Sequence, residues 1–418
     1  MIRPISISLS PNTEPDDVWL AFRLLFQPWK WKKGKAIRQF EEGFARYHGT
    51  KHAISFNSGR SSLIAILDAL NFEQGSEILV QAFTCNAVPN PVIWSGLKPV
   101  YVDCREDDFN MDADDLEKKI ILRQSSGQAP KAVIVQHTFG IPGDLAKIQE
   151  ICKEHDLILI EDCAHALGAT YKGRKVGTWG DISFFSFSRD KVISSVYGGM
   201  VITSNEELAK KIKTVQERVG YPSFLWIKQQ LLHPILLNAV ILPTYGIFGK
   251  YLLVFLQQAK ILSKAVHWKE KRGMKPAYFP KCMPNALALL ALRQLEKLGR
   301  FNEHRKKIAQ QYYKALANTS FELPKSFEER ENIFLRFTVK HPKAHEIIRK
   351  AWAQNLLIGD WYTSPIAPAD TKEDKVFYEK GSCPTAEKLA GVTLNLPTHI
   401  NIKEKEVQKV IEFIKDAD

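Results

Sequence analysis

The sequence predicts an α/β fold: a mostly parallel central sheet flanked by helices, followed by a smaller C-terminal α+β domain. Two patterns predict it. From about residue 50 to 205, short apolar runs alternate with helical stretches. The runs are apolar throughout rather than at every second residue, as expected of strands covered on both faces. At 418 residues the chain is also long enough for a large layered domain plus a second one.

Taken in order, HAISF (52–56) reads as a strand and SSLIAILDAL (61–70) as a helix. SEILVQ (76–81) is a strand, NPVIWSG (90–96) a helix and KPVYVD (98–103) a strand. KAVIVQH (131–137), LAKIQEICKEH (145–155) and LILIED (157–162) continue the alternation, and DISFFSF (181–187) and GGMVIT (198–203) add two strands. RQSSGQAPK (123–131) reads as a surface loop. The stretch 287–316 predicts one long helix, and EKEVQKVIEFIKDA (404–417) the closing one. The expected division is a large domain over 1–222, an apolar insertion over 223–280, and the long helix with the small domain over 281–418.

The net charge of +12 and pI near 9.2 suit an anionic partner such as a phosphorylated cofactor or substrate, or an acidic membrane surface. No nucleic-acid-binding signature accompanies the charge, so no nucleic acid is expected. Six scattered cysteines without a CxxC pair argue against zinc, so no metal is expected, and they fit a reducing compartment. The first seventeen residues lack the apolar core of a signal peptide. The catalytic body is therefore expected in the cytoplasm, peripheral to the inner face of the membrane if it meets one.

The chemistry concentrates in residues 157–203. Asp162 ends a buried strand, where an isolated carboxylate is costly unless a cation faces it; a protonated pyridine nitrogen is such a cation. Lys191 follows a second buried strand and reaches the same crevice, where it could bond a cofactor aldehyde. Ser186 and Ser188 offer hydroxyls to phosphate oxygens. Asn57-Ser58-Gly59 is a strand-to-helix turn whose N–H groups would accept a phosphate. Singly, Asp162 equally suits a helix cap, Lys191 a surface lysine and Ser58-Gly59 an ordinary turn.

Together they sit in a pattern that resembles the DegT/DnrJ/EryC1/StrS sugar aminotransferases, fold type I enzymes of pyridoxal 5'-phosphate (PLP). The resemblance runs through RQFEEGFARYHGTKHAISFNSGRSSL (38–63), GSEILVQAFTCNAVPNPVIWSGLKPVYVD (75–103), HTFGIPGDLAKI (137–148), the 157–203 block, LRQLEKL (292–298) and CPTAEKLAGVTLNLPTHINI (383–402). It implies that Lys191 is the Schiff-base lysine and Asp162 the partner of the pyridine nitrogen. By the same resemblance His165 lies against the cofactor ring, Ser186 binds phosphate, and Ser58 and Gly59 cradle it. The implied activity is transfer of an amino group, glutamate being the usual donor, to a keto sugar held on a nucleotide or lipid. Surface polysaccharide or glycoconjugate biosynthesis is the implied setting and a homodimer the implied unit. Two rivals remain: a PLP enzyme of another outcome, such as a dehydratase, and a PLP-binding regulatory homologue without catalysis. Deoxygenating relatives have histidine in place of the lysine, which counts against the first.

Several positions depart from the pattern. Arg60 replaces a small hydroxyl residue beside the phosphate turn, and an ion pair to the phosphate is expected, a solvent-facing arginine being the alternative. Cys85 falls where an aromatic ring usually stacks on the cofactor, a role Phe83 could take. Ser188 replaces a histidine, Val196-Tyr197 stands where Gly-Glu is usual, and Pro280-Lys281-Cys282-Met283 lacks an asparagine that reaches the partner subunit in relatives. Trp361-Tyr362-Thr363-Ser364-Pro365 resembles a substrate-side segment without its histidine.

Between Lys228 and Lys250 no charged side chain occurs apart from His233, and Pro243–Gly246 makes a natural turn. Residues 223–265 therefore predict a hairpin of two helices of roughly 18–20 residues, dipping into one leaflet of a membrane. Trp226, Tyr245, Tyr251 and Trp268 suit the interface, and Lys264, Lys269, Lys271, Arg272 and Lys275 suit anionic headgroups; the contact region extends to residue 275. LLFQPWKWKKGK (24–35) has the same character. The alternative is a hairpin that enlarges a dimer interface or closes over the active site.

Overall fold

The computed structural model describes residues 3–418; Met1 and Ile2, the first residues of the expected large domain, lie outside the described residues. Seven strands form the central sheet: β1 (His52–Phe56), β2 (Glu77–Gln81), β3 (Lys98–Val102), β4 (Ala132–Gln136), β5 (Ile158–Asp162), β6 (Ile182–Ser186) and β7 (Gly199–Thr203). Their order is β3-β2-β4-β5-β6-β7-β1. β7 is antiparallel to both neighbours, and the other pairs are parallel. Each strand coincides, within a residue or so at either end, with an apolar run named above. The uniform apolarity has a plain cause. Leu79, Val133, Val135 and Leu159 enter the core on one face of the sheet, and Ile78, Val80, Ile134 and Ile160 the core on the other.

The register decides where chemistry can occur. Gln136 and Phe184 both pair with Asp162, Ser186 pairs with Gly199, and Gly199 pairs with Phe56. Because β7 runs backwards, its first residue reaches the rim where β4, β5, β6 and β1 end. Ligands of such sheets bind at that rim. Immediately after β1, Ser58 caps the helix Gly59–Leu70 by accepting from the Ser61 N–H. Gly199 permits the close approach: a Cβ there would lie 2.3 Å from the Ser58 carbonyl oxygen.

The C-terminal module pairs Phe337–Lys340 antiparallel with Thr393–Leu396, packed by helices Ala344–Ala353 and Glu404–Asp416. The single long helix expected over 287–316 is instead two, Asn285–Glu296 and Leu298–Leu316, breaking at Lys297. That lysine bonds Asp16 and Asp17 in the first turn of the helix Pro15–Leu25, and its Nζ lies 3.1 Å from Glu14. The 123–131 loop is shorter than expected, since the helix Ala113–Ser125 runs into it.

The expected hairpin also takes another form. The helix Phe224–Leu236 continues through wider i→i+5 turns at Leu237–Ile241, and after a break Tyr245–Gly249 leads into the helix Lys250–Gln258. The two arms meet at 107°, and among the described residues no single helix is long and apolar enough to cross a membrane. Gln230 and His233 face protein partners (Ser263 and Ser10), which fixes the first arm to the body. Trp226 and Tyr245, expected at an interface, turn inward, Trp226 against Tyr197 and Tyr245 against the small core of Leu237, Ile241, Leu242 and Leu262.

The N-terminal segment and the C-terminal module meet behind the Lys191 loop. Asn12 Nδ2 donates to the Lys191 carbonyl at 2.6 Å. The fully buried Arg305 donates to Asn12 Oδ1, to the Val192 carbonyl and to Asn302 Oδ1, at 3.0, 2.7 and 2.9 Å. Arg305→Met removes a charged donor and leaves buried acceptors unpaired, so it is expected to cost roughly 3 kcal/mol or more. Urea unfolding of the variant and the native chain measures this.

Candidate active site

One cavity of about 220 Å³ opens at the rim, and its wall contains all seven residues singled out above: Ser58, Gly59, Arg60, Asp162, His165, Ser186 and Lys191. Asp162 is 4% exposed and its Oδ1 accepts from the Ala164 N–H at 2.9 Å. Burial raises its pKa to about 6, against the lowering effects of that hydrogen bond and of nearby Lys191. Lys191 is held below its ordinary pKa by burial, which favours the neutral, nucleophilic amine. Its Nζ lies 4.5 Å from the centre of the Trp361 ring.

Another part of the cavity wall suits an anion. Ser58 and Gly59 begin a twelve-residue helix whose first N–H groups have no acceptor within the helix. Ser186 and Ser188 place hydroxyls 3.3 Å apart beside them. A Cβ at Gly59 would come within 3.0 Å of Ser186 Cβ, so glycine is what lets the helix start and the β6 end close into one cradle. A carboxylate short of a cation, an amine, and a cradle of hydroxyls and helix N–H groups in one cavity wall match the chemistry of the ring nitrogen, aldehyde and phosphate of PLP.

Arg60 has a partner that neither reading of the sequence named. Its guanidinium forms a buried ion pair at 2.5 Å with Glu270, beside the Phe279 ring, so it is not a solvent-facing side chain. Burial lowers its pKa, but the combined attraction of Glu270 and of the nearby Cys85, Tyr197 and Tyr278 side chains raises it on balance. Glu270, in turn, is raised by burial. Phe83 does not replace the missing aromatic ring: it packs in the core against Phe109, Phe139 and Tyr362. Trp361, Tyr362, Tyr197 and Phe184 all line the cavity, and Trp361 is stacked 5.0 Å from His165. Burial drives the His165 pKa well down, so its imidazole is neutral, and Nδ1 accepts from the Phe139 N–H at 3.4 Å.

Other wall and support residues were not singled out by sequence. Gln136 ends β4 beside Asp162 and lines the cavity, a position the strand-end rule could have flagged. Arg336 lies 3.2 Å from the Trp361 ring centre and 3.5 Å from Asp190, with no local sequence signal. Ile366–Ala367 pairs in parallel with Thr84–Cys85, which brings the preceding Trp361–Tyr362 segment to the rim, where Arg336 meets it. Ala265 and Val266, from the end of the insertion, complete the wall.

Asp162 carries a pH signature. Its folded pKa lies above the unfolded value of about 3.8, so its contribution favours the fold at low pH and is lost as pH rises from about 4 to 6. The penalty at neutral pH is about 3 kcal/mol without a cationic partner. Asp162→Asn is therefore expected to stabilise the cofactor-free chain at pH 8 by up to about that amount, flatten its stability between pH 4 and 6, and abolish PLP binding. Urea unfolding across pH, with and without PLP, measures both effects.

The family model described as the DegT/DnrJ/EryC1/StrS aminotransferase family matches residues 19–224 and 259–415. The chain is 39% identical over 188 residues to a GDP-perosamine synthase of Caulobacter vibrioides, covering 45% of this chain and 49% of that one. It is 28% identical to a GDP-perosamine synthase of Escherichia coli O157:H7, over 93% of this chain and 92% of that one. Several curated relatives are thus matched over about half their length and others over nearly all of it. A putative sugar aminotransferase of Streptococcus pneumoniae in its PLP form superimposes with a TM-score of 0.77 at 21% identity, over 99% of this chain and 98% of that one. The chain belongs to the DegT/DnrJ/EryC1/StrS aminotransferase family, the PLP-dependent transaminases of fold type I.

Proposed function

We propose that this chain moves an amino group from an amino donor, glutamate by family usage, to the keto group of a sugar carried on a nucleotide or lipid, in the building of a surface polysaccharide or glycoconjugate. The observation that carries the reading is the joint presence of Asp162, Lys191 and the Ser58-Gly59-Ser186 cradle in one cavity wall. The GDP-perosamine synthases among the relatives support a sugar nucleotide as acceptor. When bound, PLP supplies an electron sink that stabilises negative charge on the substrate carbon next to nitrogen.

The protein's own groups do the rest. Lys191 Nζ holds the cofactor between turnovers and, once released, takes the proton from the donor carbon and returns one to the sugar carbon. Asp162 keeps the ring nitrogen protonated, and the pyridinium supplies the cation its buried carboxylate needs. Ser58, Gly59 and Ser186 hold the phosphate, and neutral His165 lies against the ring edge. Arg60, neutralised by Glu270, shapes the cavity wall beside the Ser58-Gly59 turn. Trp361 and Ala265 narrow the mouth and exclude water. The functional unit is a homodimer in the cytoplasm. A non-catalytic regulatory role is disfavoured, because the Lys191 amine and the Asp162 carboxylate are both kept in the cavity wall.

Lys191→Ala is expected to lose the visible absorbance of lysine-bound PLP and to lower kcat by a factor on the order of 10³ or more. Borohydride reduction of the native holoenzyme followed by peptide mass spectrometry should find the cofactor on Lys191. Modification of any other lysine overturns the assignment. Product mass spectrometry with a panel of keto-sugar nucleotides tests the acceptor.

A further inference from the structure

The family model matches residues 19–224 and 259–415 and leaves 225–258 outside both matched stretches. The charge of the insertion is one-sided. Residues 23–35 and 223–280 together contain thirteen Lys and Arg but a single acidic residue, Glu270. The rest of the chain contains 45 basic and 45 acidic residues. The whole net charge of +12 therefore resides in these two segments. Glu270 does not dilute it at the surface, being buried against Arg60.

The two segments are joined in space. The helix Pro15–Leu25 packs along the helix Phe224–Leu236. Beyond it, Trp31 meets Phe224 at 5.9 Å, and Lys32 Nζ sits 4.4 Å over the same ring. Large apolar side chains on this body face water. On the helix Lys250–Gln258 no residue is buried, and Tyr251, Val254 and Phe255 are 66, 52 and 61% exposed, at the i, i+3, i+4 spacing of one helical face. Ile247 and Phe248 extend the exposed face by a turn. On the helix Pro15–Leu25, Trp19 and Phe22 stack at 5.6 Å in solvent, with Phe26 66% exposed just beyond.

Apolar faces this large mark a site of contact. A second copy of the chain is a poor occupant, since an isologous contact would press two strongly cationic surfaces together, and interface cores are depleted in lysine. Exposed aromatic and aliphatic side chains, on segments that also expose Lys30, Lys33, Lys228, Lys250, Lys260 and Arg272, instead match a bilayer surface bearing negative headgroups. We propose that residues 19–35 and 224–275 form a monotopic docking surface for an anionic phospholipid membrane, with the face of Ile247–Phe255 inserted among the acyl chains.

The docking surface is wired to the catalytic cavity. Gln230 on the first arm accepts from Ser263, Ser263 accepts from Arg189 two residues before Lys191, and the Lys264 carbonyl accepts from Tyr197 in the cavity wall. Ala265 and Val266 then line the cavity itself. Docking would thus hold the cavity beside the headgroup layer. This extends the proposed function by naming the surface from which the site is approached; the docking itself does not depend on turnover.

The test is flotation of the full-length holoenzyme with vesicles of phosphatidylcholine alone or of phosphatidylcholine with phosphatidylglycerol. Partition is expected to be roughly tenfold or more stronger with phosphatidylglycerol, and to weaken as salt is raised. The double variant Tyr251→Glu, Phe255→Glu is expected to lose flotation while keeping its PLP absorbance and its sedimentation coefficient. Absence of binding at low salt, or equal binding to both vesicles, overturns the proposal. So does a variant that sediments as a smaller species, which would give the face to a second copy. Loss of PLP absorbance in the native chain would instead count against the proposed function, leaving the flotation result to stand by itself.

Discussion

The arrangement depends on one costly choice, a carboxylate placed at the dry end of the central strand. Asp162 has a backbone N–H on one oxygen and apolar sheet around it, and its affinity for a proton rises accordingly. Burial of that kind persists where a positive group can arrive to relieve it. The neighbouring features make sense in that light. β6 ends level with Asp162 and delivers the loop that carries Lys191, and β7 runs backwards so that a glycine, with no side chain to obstruct, meets the phosphate turn.

A second layer keeps the loop itself in place. The carbonyls of Lys191 and Val192 are taken by Asn12 and by Arg305, one near the beginning of the chain and one on a helix leading into the C-terminal module. The loop therefore cannot shift without disturbing the contact between the N-terminal segment and that helix. Gln294 reinforces it by donating to the Asn12 carbonyl at 3.0 Å. Catalytic position in this fold is shared among segments nearly three hundred residues apart.

What could be read in advance follows from this division. Residues whose role is local to a strand end or a strand-to-helix turn were legible: Asp162, Lys191, Ser186, Ser58 and Gly59 each sit where an apolar run stops, and the family pattern joined them. Arg336 and Glu270 were not legible, because each meets its partners, Asp190 and Trp361 for the one and Arg60 for the other, across long sequence separations. Arg60 shows the limit most clearly. A guanidinium beside a phosphate turn suggested a phosphate, yet a carboxylate supplied more than two hundred residues later claims it first. The hairpin was visible as composition, but its 107° bend and the inward turn of Trp226 depend on packing against the N-terminal helix and Tyr197.

The separation of charge also changes how the pI near 9.2 should be understood. It describes a pole and not the body of the molecule, since the remaining chain balances 45 cations against 45 anions. A version trimmed of both cationic segments would be near its isoelectric point in neutral buffer, where proteins lose mutual repulsion and tend to precipitate. Poor recovery of such a fragment would then reflect colloidal behaviour and would carry no information about whether its core can fold.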